Sequence, residues 1–440
     1  MFDEALPGAS GGLDGRRRLP SLAARRPVRV RPCAGGAPIP RLAPESAALG
    51  WFLFVSFLLN FGQGVYPPLL PELVGALGLG LAAAGFLGTA FSLPRSLLAL
   101  PAGLLVDRIG PTRMMHSGMA LVLAGTLLAA VARSLATMAL SRALVGLGYG
   151  TTALVGIVYL MQAGPPTQRT RRGNMYEGAL ISANAVSGYL AGEISVRAGW
   201  RWGFGAAAVA VGAGWLTAAW RVFPAVRAVF DARSAGGEAE AAPGAAPRPA
   251  PLKLVAIYLA VFGLAFCWAG AIVTLAPLYG SQVLGLSAAA IGRALAIGYL
   301  IEAVLLIPVG WAADTFGRLR VLLPGIAVLA AGVVLLPLAG GLAGYTVACA
   351  LVIAGMTVWM TPASLLAEHL RGRFGSREVS VYRVVTDVGM VVAPVFVGWL
   401  TERGGFGLGA SAVAIVVVAS GGVAGLVLGR HWRRPRRRSV

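Results

Sequence analysis

The chain has 440 residues, of which 57% are hydrophobic and only 12% are charged, and its mean hydropathy is +0.76. A soluble domain carries about 25% charged residues, so this composition argues against a soluble enzyme and indicates a helical protein that crosses a membrane many times. The net charge of +20 lies mostly in the two ends of the chain and in alternate loops. That distribution is typical of segments beside anionic lipid and argues against a nucleic-acid partner.

Residues 1–45 are rich in Gly, Pro, Ala and Arg and are expected to form a disordered, basic tail. A polar linker over 224–252 separates an amino-terminal half, 46–223, from a carboxy-terminal half, 253–430, and a second basic tail occupies 431–440. The two halves contain twelve apolar segments, each long enough for a membrane-spanning helix. These lie at roughly 48–71, 82–106, 113–133, 135–160, 176–197, 202–223, 254–280, 288–312, 321–339, 343–368, 380–401 and 407–429.

The distribution of arginine predicts the orientation in the membrane. If the amino terminus is inside, most loop arginines are cytoplasmic, and the outer loops hold little more than Arg133, Arg197, Arg201 and Arg403. Positive residues are retained on the cytoplasmic side of a membrane. Both termini and the linker are therefore expected in the cytoplasm, with the chain in a bacterial inner membrane and its basic tails against anionic lipid headgroups.

Nothing in the sequence predicts a metal site, a cofactor or an enzyme active site. Lys253 is the only lysine, so the chain has no Gly-Lys pair of the kind that phosphate-binding loops require. Cysteine and histidine are common metal ligands, but here they are widely separated. Their positions are Cys33, Cys267, Cys349, His116, His369 and His431.

One motif occurs twice, each time at the end of the second apolar segment of a half. Residues 101–113 read PAGLLVDRIGPTR, and residues 308–320 read PVGWAADTFGRLR. A constant offset of 310 − 103 = 207 relates Gly103 to Gly310, Asp107 to Asp314, Gly110 to Gly317, and Arg113 to Arg320. Parallel repeats of this kind occur in secondary transporters. We therefore predict an all-α fold of twelve transmembrane helices in two pseudo-symmetric six-helix bundles.

These stretches resemble motifs of the major facilitator superfamily. The two copies are similar to the family's cytoplasmic loop motif, SRALVGLGYG at 141–150 to its fourth helix, and GWRWGF at 199–204 to its entry into helix six. The resemblance implies transport by alternating access, with Asp107 as a cytoplasmic latch against the amino-terminal end of helix eleven. It implies that the first glycine of each copy lets a neighbouring helix approach closely. The gating residues that it implies are Gly103, Asp107, Arg108, Gly110, Arg113, Gly310, Asp314, Gly317, Arg318 and Arg320.

Charged residues inside apolar spans are energetically costly and usually functional. Arg95 lies 12 residues before Asp107, which is about 18 Å along a helix and places it near the membrane midplane. At the offset of 207 its counterpart is Glu302, so both are candidates for substrate binding or coupling. Arg383 and Asp387 share a helix face at i, i+4 spacing and could pair with each other. A purely structural ion pair is the alternative function for these charges.

In the family that the chain resembles, helices one, four, seven and ten line the cavity, which adds polar residues to the candidates. Asn60 and Gln63 lie on one face of helix one, at the depth of Arg142 in helix four. A contact between Arg142 and one of these two amides is expected. Thr357 and Thr361 lie on a similar stripe of helix ten. Each of these polar side chains could instead only bond to its own helix backbone.

The sequence therefore predicts a secondary transporter of a small organic molecule, acting as a monomer. Export of hydrophobic compounds is favoured because few charges fall in the expected cavity. Proton coupling through Glu302 or Asp387 is expected because a carboxylate among apolar groups takes up a proton more readily than one in water. The alternatives are import or uniport of an organic anion or metabolite through Arg95 and Arg142, and a non-transporting sensor or scaffold of the same fold.

Overall fold

The computed structural model describes residues 45–99, 102–163, 169–236, 251–370 and 376–429. All secondary structure in these ranges is helical, so the predicted all-α class is confirmed for this part of the chain. The two predicted tails, apart from the first residue of the first helix, and the middle of the linker lie outside the described residues.

The chain before the linker follows the order of the predicted apolar segments. Its first helix pieces, α1 to α3, run almost continuously and are separated only by Asn60 and Val65. A π-helical turn, Ala218–Val222, connects α9 to α10. The helices are α1 Glu45–Leu59, α2 Phe61–Gly64, α3 Tyr66–Leu77, α4 Leu81–Ala99, α5 Ala102–Ile109, α6 Pro111–Val131, α7 Leu135–Gln162, α8 Arg169–Ala198, α9 Trp200–Thr217 and α10 Phe223–Gly236.

The chain after the linker also contains long apolar helices. A π-helical stretch, Trp268–Leu275, joins α11 to α12, and 3₁₀ turns follow α14 and α15. The last helix is 54 residues long, but Gly405 within it has φ 77°, so two helices meet at a bend there. The helices are α11 Pro251–Cys267, α12 Ala276–Gln282, α13 Ala288–Phe316, α14 Arg318–Leu335, α15 Leu342–Gly355, α16 Thr361–His369 and α17 Ser376–Gly429.

Ten helical stretches among the described residues are long and apolar enough to cross a membrane, as expected of a multi-pass membrane protein. This number differs from the twelve predicted segments for two physical reasons. α8 carries Arg171, Arg172 and Glu177 in its first turns, which makes it less apolar than the others. Ser380–Gly429 counts as one stretch of 50 residues, although a helix of that length would extend about 75 Å, more than twice the thickness of a bilayer core.

The linker predicted over 224–252 is shorter in the structure because its beginning is helical. α10 continues to Gly236, and α11 already starts at Pro251. Val226 and Phe230 lie one turn apart on α10 and are buried in a core cluster with residues of α6 and α7. Helices in proteins are stabilised largely by burial of one apolar face. That tertiary contact accounts for a helix where composition indicated a linker.

The repeated motif marks the same turn in both halves. Gly110 lies between α5 and α6 with φ 86°, and Gly317 lies between α13 and α14 with φ 102°. Residues with a Cβ rarely adopt such angles, so this glycine permits a tight turn between consecutive helices. The first glycine of the motif was expected to let a neighbouring helix approach closely. At Gly310 the structure differs from this expectation, because a Cβ there would meet open space. The surroundings of Gly103 lie outside the described residues.

Helices from the two halves pack closely at the ends farthest from the repeated motif. A Cβ on Gly192 of α8 would lie 2.5 Å from the carbonyl oxygen of Ala288 at the start of α13. A Cβ on Gly85 of α4 would lie 2.1 Å from the carbonyl oxygen of Pro394 in α17. Small residues allow helix backbones to approach this closely in membranes. The two halves are therefore in direct backbone contact at this end of the molecule.

The close approach of α7 to α4 predicts a large effect at Gly146. A Cβ there would lie 1.9 Å from the carbonyl oxygen of Phe91, so Gly146→Ala must push the two helices apart. We expect a destabilisation of about 1–3 kcal/mol, measured as a lower melting temperature of the purified protein in detergent. Gly75→Ala is the control, because a Cβ at that position of α3 meets open space. Equal melting temperatures for the two variants would contradict the packing argument.

Candidate functional site

The described residues enclose a cavity of about 290 Å³ between the two halves of the chain. Helices α2, α4, α7 and α8 line one side, and α13, α16, α17 and the π-helical stretch after α11 line the other. The cavity contains all the predicted substrate and coupling candidates except Arg142 and Thr361. Its polar residues, including tyrosines and tryptophans, are Asn60, Gln63, Arg95, Tyr149, Tyr176, Glu177, Asn184, Trp268, Tyr299, Glu302, Thr357, Trp359, Tyr382, Arg383, Thr386 and Asp387.

Asp387 forms one ion pair with an arginine from each half of the chain. Its Oδ1 lies 2.6 Å from Nη2 of Arg95 in α4, and its Oδ2 lies 3.5 Å from Nε of Arg383, one turn earlier on α17. Nη2 of Arg95 also lies 2.8 Å from the Met390 sulfur. The local pairing of Arg383 with Asp387 agrees with the i, i+4 spacing. Arg95 contacts Asp387 across the two halves and not its counterpart in the repeat, Glu302.

Two glutamates face the cavity without a basic partner. Glu302 of α13 is only 7% exposed, and Glu177 lies on α8 in the other half of the chain. Among the described residues, neither carboxylate makes an ion pair within 4 Å. Glu177 is a site residue that the sequence interpretation missed. The signal was its position seven residues before Asn184, which places both on one face of α8.

Aromatic side chains line the cavity together with the two glutamates. Tyr299 lies one turn before Glu302 on α13, and Trp268 begins the π-helical stretch. Tyr149 of α7 and Tyr176 of α8 line the same cavity. The cavity therefore combines acidic groups with large apolar ring faces. Within the described residues, no group of three His, Cys, Asp or Glu side chains could hold a metal ion.

Arg142 lies beside the main cavity rather than in it. Its guanidinium carbon is 3.8 Å from the ring centroid of Tyr66 and 4.7 Å from that of Phe91. Both distances are typical of cation–π interactions. Arg142 and Gln63, one of the two amides expected near it, line a side cavity of about 20 Å³. The Asn60 amide instead donates to Asn184 Oδ1 at 2.7 Å and to the Leu180 carbonyl oxygen at 3.1 Å.

The two threonines predicted on the tenth span, Thr357 and Thr361, lie in different surroundings. Thr357 lines the cavity, but its hydroxyl donates to the Ala354 carbonyl oxygen at 2.8 Å. Thr361 is buried at the start of α16 and does not line the cavity. The bond of Thr357 matches the alternative in which a hydroxyl bonds to its own helix backbone. Thr357 remains a cavity residue, and its hydroxyl oxygen can still accept a hydrogen bond.

The predicted gating residues lie around the turns between helices. Arg318 donates to the Ser364 carbonyl oxygen of α16, and its Nη1 lies 3.5 Å from Oε2 of Glu368. The other charged residues with described side chains, Arg108, Arg113, Asp314 and Arg320, are exposed. The side chain of Asp107, for which a latch is expected, lies outside the described residues.

Long apolar helices around a polar central cavity are the architecture of a multi-pass membrane transporter. Comparison with known families agrees with this class. The family model described as Major Facilitator Superfamily matches residues 52–371 and 284–440, and the chain belongs to that family. This family membership agrees with the class that the sequence predicted, a transporter rather than an enzyme.

Known relatives agree with this assignment. Two proteins of Mycobacterium tuberculosis named as uncharacterized MFS-type transporters, MT1926 and Rv1877, are each 27% identical over 188 residues. The matched region covers 42% of this chain and 26% of each relative, so the chain spans about a quarter of the length of these relatives.

Solved structures of a peptide transporter named POT share the fold. The complex with sulfate has a TM-score of 0.64 at 16% identity. A mutant in complex with alafosfalin has a TM-score of 0.65 at 15% identity. Each comparison covers 87% of this chain and 95% of the other. At this level of identity the likeness shows a common fold alone.

Proposed function

We propose that this protein exports hydrophobic compounds across a bacterial inner membrane in exchange for protons, by alternating access of the central cavity. Glu302 carries the proposal, because it is a buried carboxylate that faces the cavity without a basic partner among the described residues. An acid in this position can take up a proton on one side of the membrane and release it on the other. Ile157, Leu306 and Met356 line the same cavity and suit an apolar substrate.

For this cycle we propose twelve spans in two pseudo-symmetric six-helix bundles, residues 46–223 and 253–430. α8 would be the fifth span, and the parts of α17 before and after Gly405 would be the last two. The equal turns at Gly110 and Gly317 support the internal symmetry. Backbone contact between the halves near Gly85 and Gly192 supports a state closed at that end, which rocking of the bundles would exchange for the opposite state.

The two alternatives fit the cavity less well. An organic-anion or metabolite importer needs free cationic groups, but Arg95 is bound by Asp387 and Arg142 is stacked between two rings. A non-transporting sensor or scaffold gives no reason for an unpaired carboxylate in a central cavity. Export driven by protons uses both the apolar surface and the acid.

The proposal is tested by flux through the purified protein in proteoliposomes. A panel of hydrophobic compounds is added on one side, with and without a pH gradient across the membrane. We expect the gradient to drive at least one compound uphill, with proton movement in the opposite direction. Flux that is insensitive to the gradient would exclude proton coupling, and no flux for any compound would favour the sensor or scaffold.

The proposed topology predicts that both tails and the linker are cytoplasmic. Single cysteines replace Pro20, Glu240 and Arg436 in a variant that lacks Cys33. In intact cells, we expect each to resist a membrane-impermeant maleimide and to react after the membrane is permeabilised. A cysteine at Arg197, whose side chain is 79% exposed at the proposed outer end of α8, is the accessible control. Labelling of any of the three from outside would overturn the topology.

Asp107 is predicted to control the equilibrium between the two states. Asp107→Ala is expected to reduce transport at least tenfold while expression and melting temperature stay unchanged, because it removes a contact of one state only. The accessibility of a cysteine at Ala153, which lines the cavity, should change in parallel. Asp314→Ala is the control, because Asp314 is the counterpart of Asp107 in the second copy of the motif and is exposed. It should reduce transport less than Asp107→Ala. Wild-type flux together with wild-type accessibility would exclude the latch.

A further inference from the structure

The two glutamates of the cavity lie in surroundings suited to a positive charge. Glu177 and Glu302 come from opposite halves of the chain, line one cavity and have no ion-pair partner among the described residues. Glu302 is 7% exposed, so little water compensates its charge. An unpaired buried carboxylate is energetically unfavourable. A ligand that brings a positive charge into the cavity therefore gains interaction energy there.

The aromatic residues beside these carboxylates favour the same kind of ligand. Ring faces carry a partial negative charge and attract ammonium groups with bound apolar substituents. We call Glu177, Glu302 and four of the six aromatic residues that line the same cavity the acid–aromatic cluster. The four aromatic residues are Tyr149, Tyr176, Trp268 and Tyr299.

The arginines near the cavity are already occupied. Arg95 and Arg383 both lie against Asp387, at 2.6 and 3.5 Å. Arg142 lies outside the main cavity, between the rings of Tyr66 and Phe91. An anion entering the cavity would have to displace a carboxylate from an arginine and would also face the two glutamates. The charges therefore select against anions.

We propose that the substrates of this cavity are monovalent organic cations with an apolar or aromatic body, bound through the acid–aromatic cluster. This inference rests on the proposed function, because it takes the cavity to be the substrate site. The volume of about 290 Å³ is at the lower end of the roughly 300–1,000 Å³ of small-molecule pockets. It fits a compound with one or two rings around a quaternary ammonium group.

Binding to the wild-type protein tests the charge selectivity without any mutation. The probes are phenyltrimethylammonium, its neutral isostere tert-butylbenzene, and benzenesulfonate as an anion of similar size. Equilibrium dialysis with purified transporter in detergent at pH 8 gives the three affinities. We expect the cation to bind at least tenfold more tightly than either of the others. Equal or tighter binding of the anion or of the neutral isostere would overturn the proposal.

Two variants test the residues. Glu302→Gln and Glu177→Gln keep the shape of the side chain but remove its charge, and each is expected to weaken binding of the ammonium probe at least tenfold. Glu368→Gln is the matched control, because that side chain is 52% exposed, pairs with Arg318 and lies outside the cavity. Melting temperatures show which variants are folded. Wild-type affinity in both folded cavity variants would overturn the assignment.

The outcome is distinguishable from that of the transport experiment. If the ammonium probe binds selectively but no compound crosses the proteoliposome membrane, transport fails and the cation site stands. If a neutral compound is exported against its gradient and the ammonium probe does not bind, the cation site fails and transport stands.

Discussion

Replacing Glu302 by glutamine is expected to abolish proton-driven accumulation of substrate while leaving exchange of an uncharged substrate across the membrane intact. Glutamine keeps the size and the hydrogen-bonding groups of the side chain but cannot gain or lose a proton. The variant would still bind and exchange an uncharged substrate, but the pH gradient could no longer drive its accumulation. In proteoliposomes, gradient-driven accumulation should fall at least tenfold, to the level seen without a gradient. Counterflow of labelled against unlabelled substrate, measured with a substrate that carries no charge, should persist.

The structure separates this role from a structural one. If Glu302 neutralised a buried arginine, the glutamine variant would leave an unpaired charge and lose stability. No basic group lies within 4 Å of Glu302 among the described residues, so the melting temperature should stay near that of the wild type. Asp231→Asn, at an acid that is 73% exposed and lies outside the cavity, is the control for transport. Full uphill transport with glutamine at 302 would exclude this residue from coupling.

Much of the fold could be predicted because membrane helices follow from local composition. A run of about 20 apolar residues has few alternatives to a helix in a bilayer. The repeated motif also predicted the turns at Gly110 and Gly317, where the positive φ angles require glycine. The beginning of α10 could not be predicted in this way. Its helix depends on burial of Val226 and Phe230 against distant helices, which composition does not record.

The sequence indicated most of the charged residues of the candidate site and the local pair of Arg383 with Asp387, but not the ion pair between the two halves. A charge within an apolar span is conspicuous in the sequence, and Arg95, Glu302, Arg383 and Asp387 all reach the same cavity. Their partners depend on how the halves pack, because equivalent positions in a repeat need not touch. Arg95 meets Asp387 across a sequence separation of 292. Glu177 was missed because it lies close to the loop arginines at the start of α8, where a glutamate looks like an ordinary surface charge.

Replacing Asp387 by alanine is expected to cause a large loss of folded protein. Asp387 is the common partner of Arg95 and Arg383, and the side chains of Arg95 and Asp387 are only 10% and 2% exposed. Removing one partner of a buried ion pair typically costs about 3–5 kcal/mol, because the remaining charge stays buried without compensation. We expect little monodisperse protein in size-exclusion chromatography and a melting temperature in detergent several degrees below the wild type.

Two controls show whether the buried charge is the cause. Asp231→Ala removes the acid of an i, i+4 ion pair, in which the side chain of Arg227 is 77% exposed and that of Asp231 is 73% exposed. Because the pair is hydrated, its loss should change the free energy of unfolding by less than about 1 kcal/mol. The double variant Arg95→Met with Asp387→Leu removes the most buried pair together. It should recover much of the lost stability, because the remaining Arg383 is 37% exposed and can be hydrated. A stable Asp387→Ala protein, or a double variant less stable than the single one, would show that Arg95 does not depend on Asp387 for its burial.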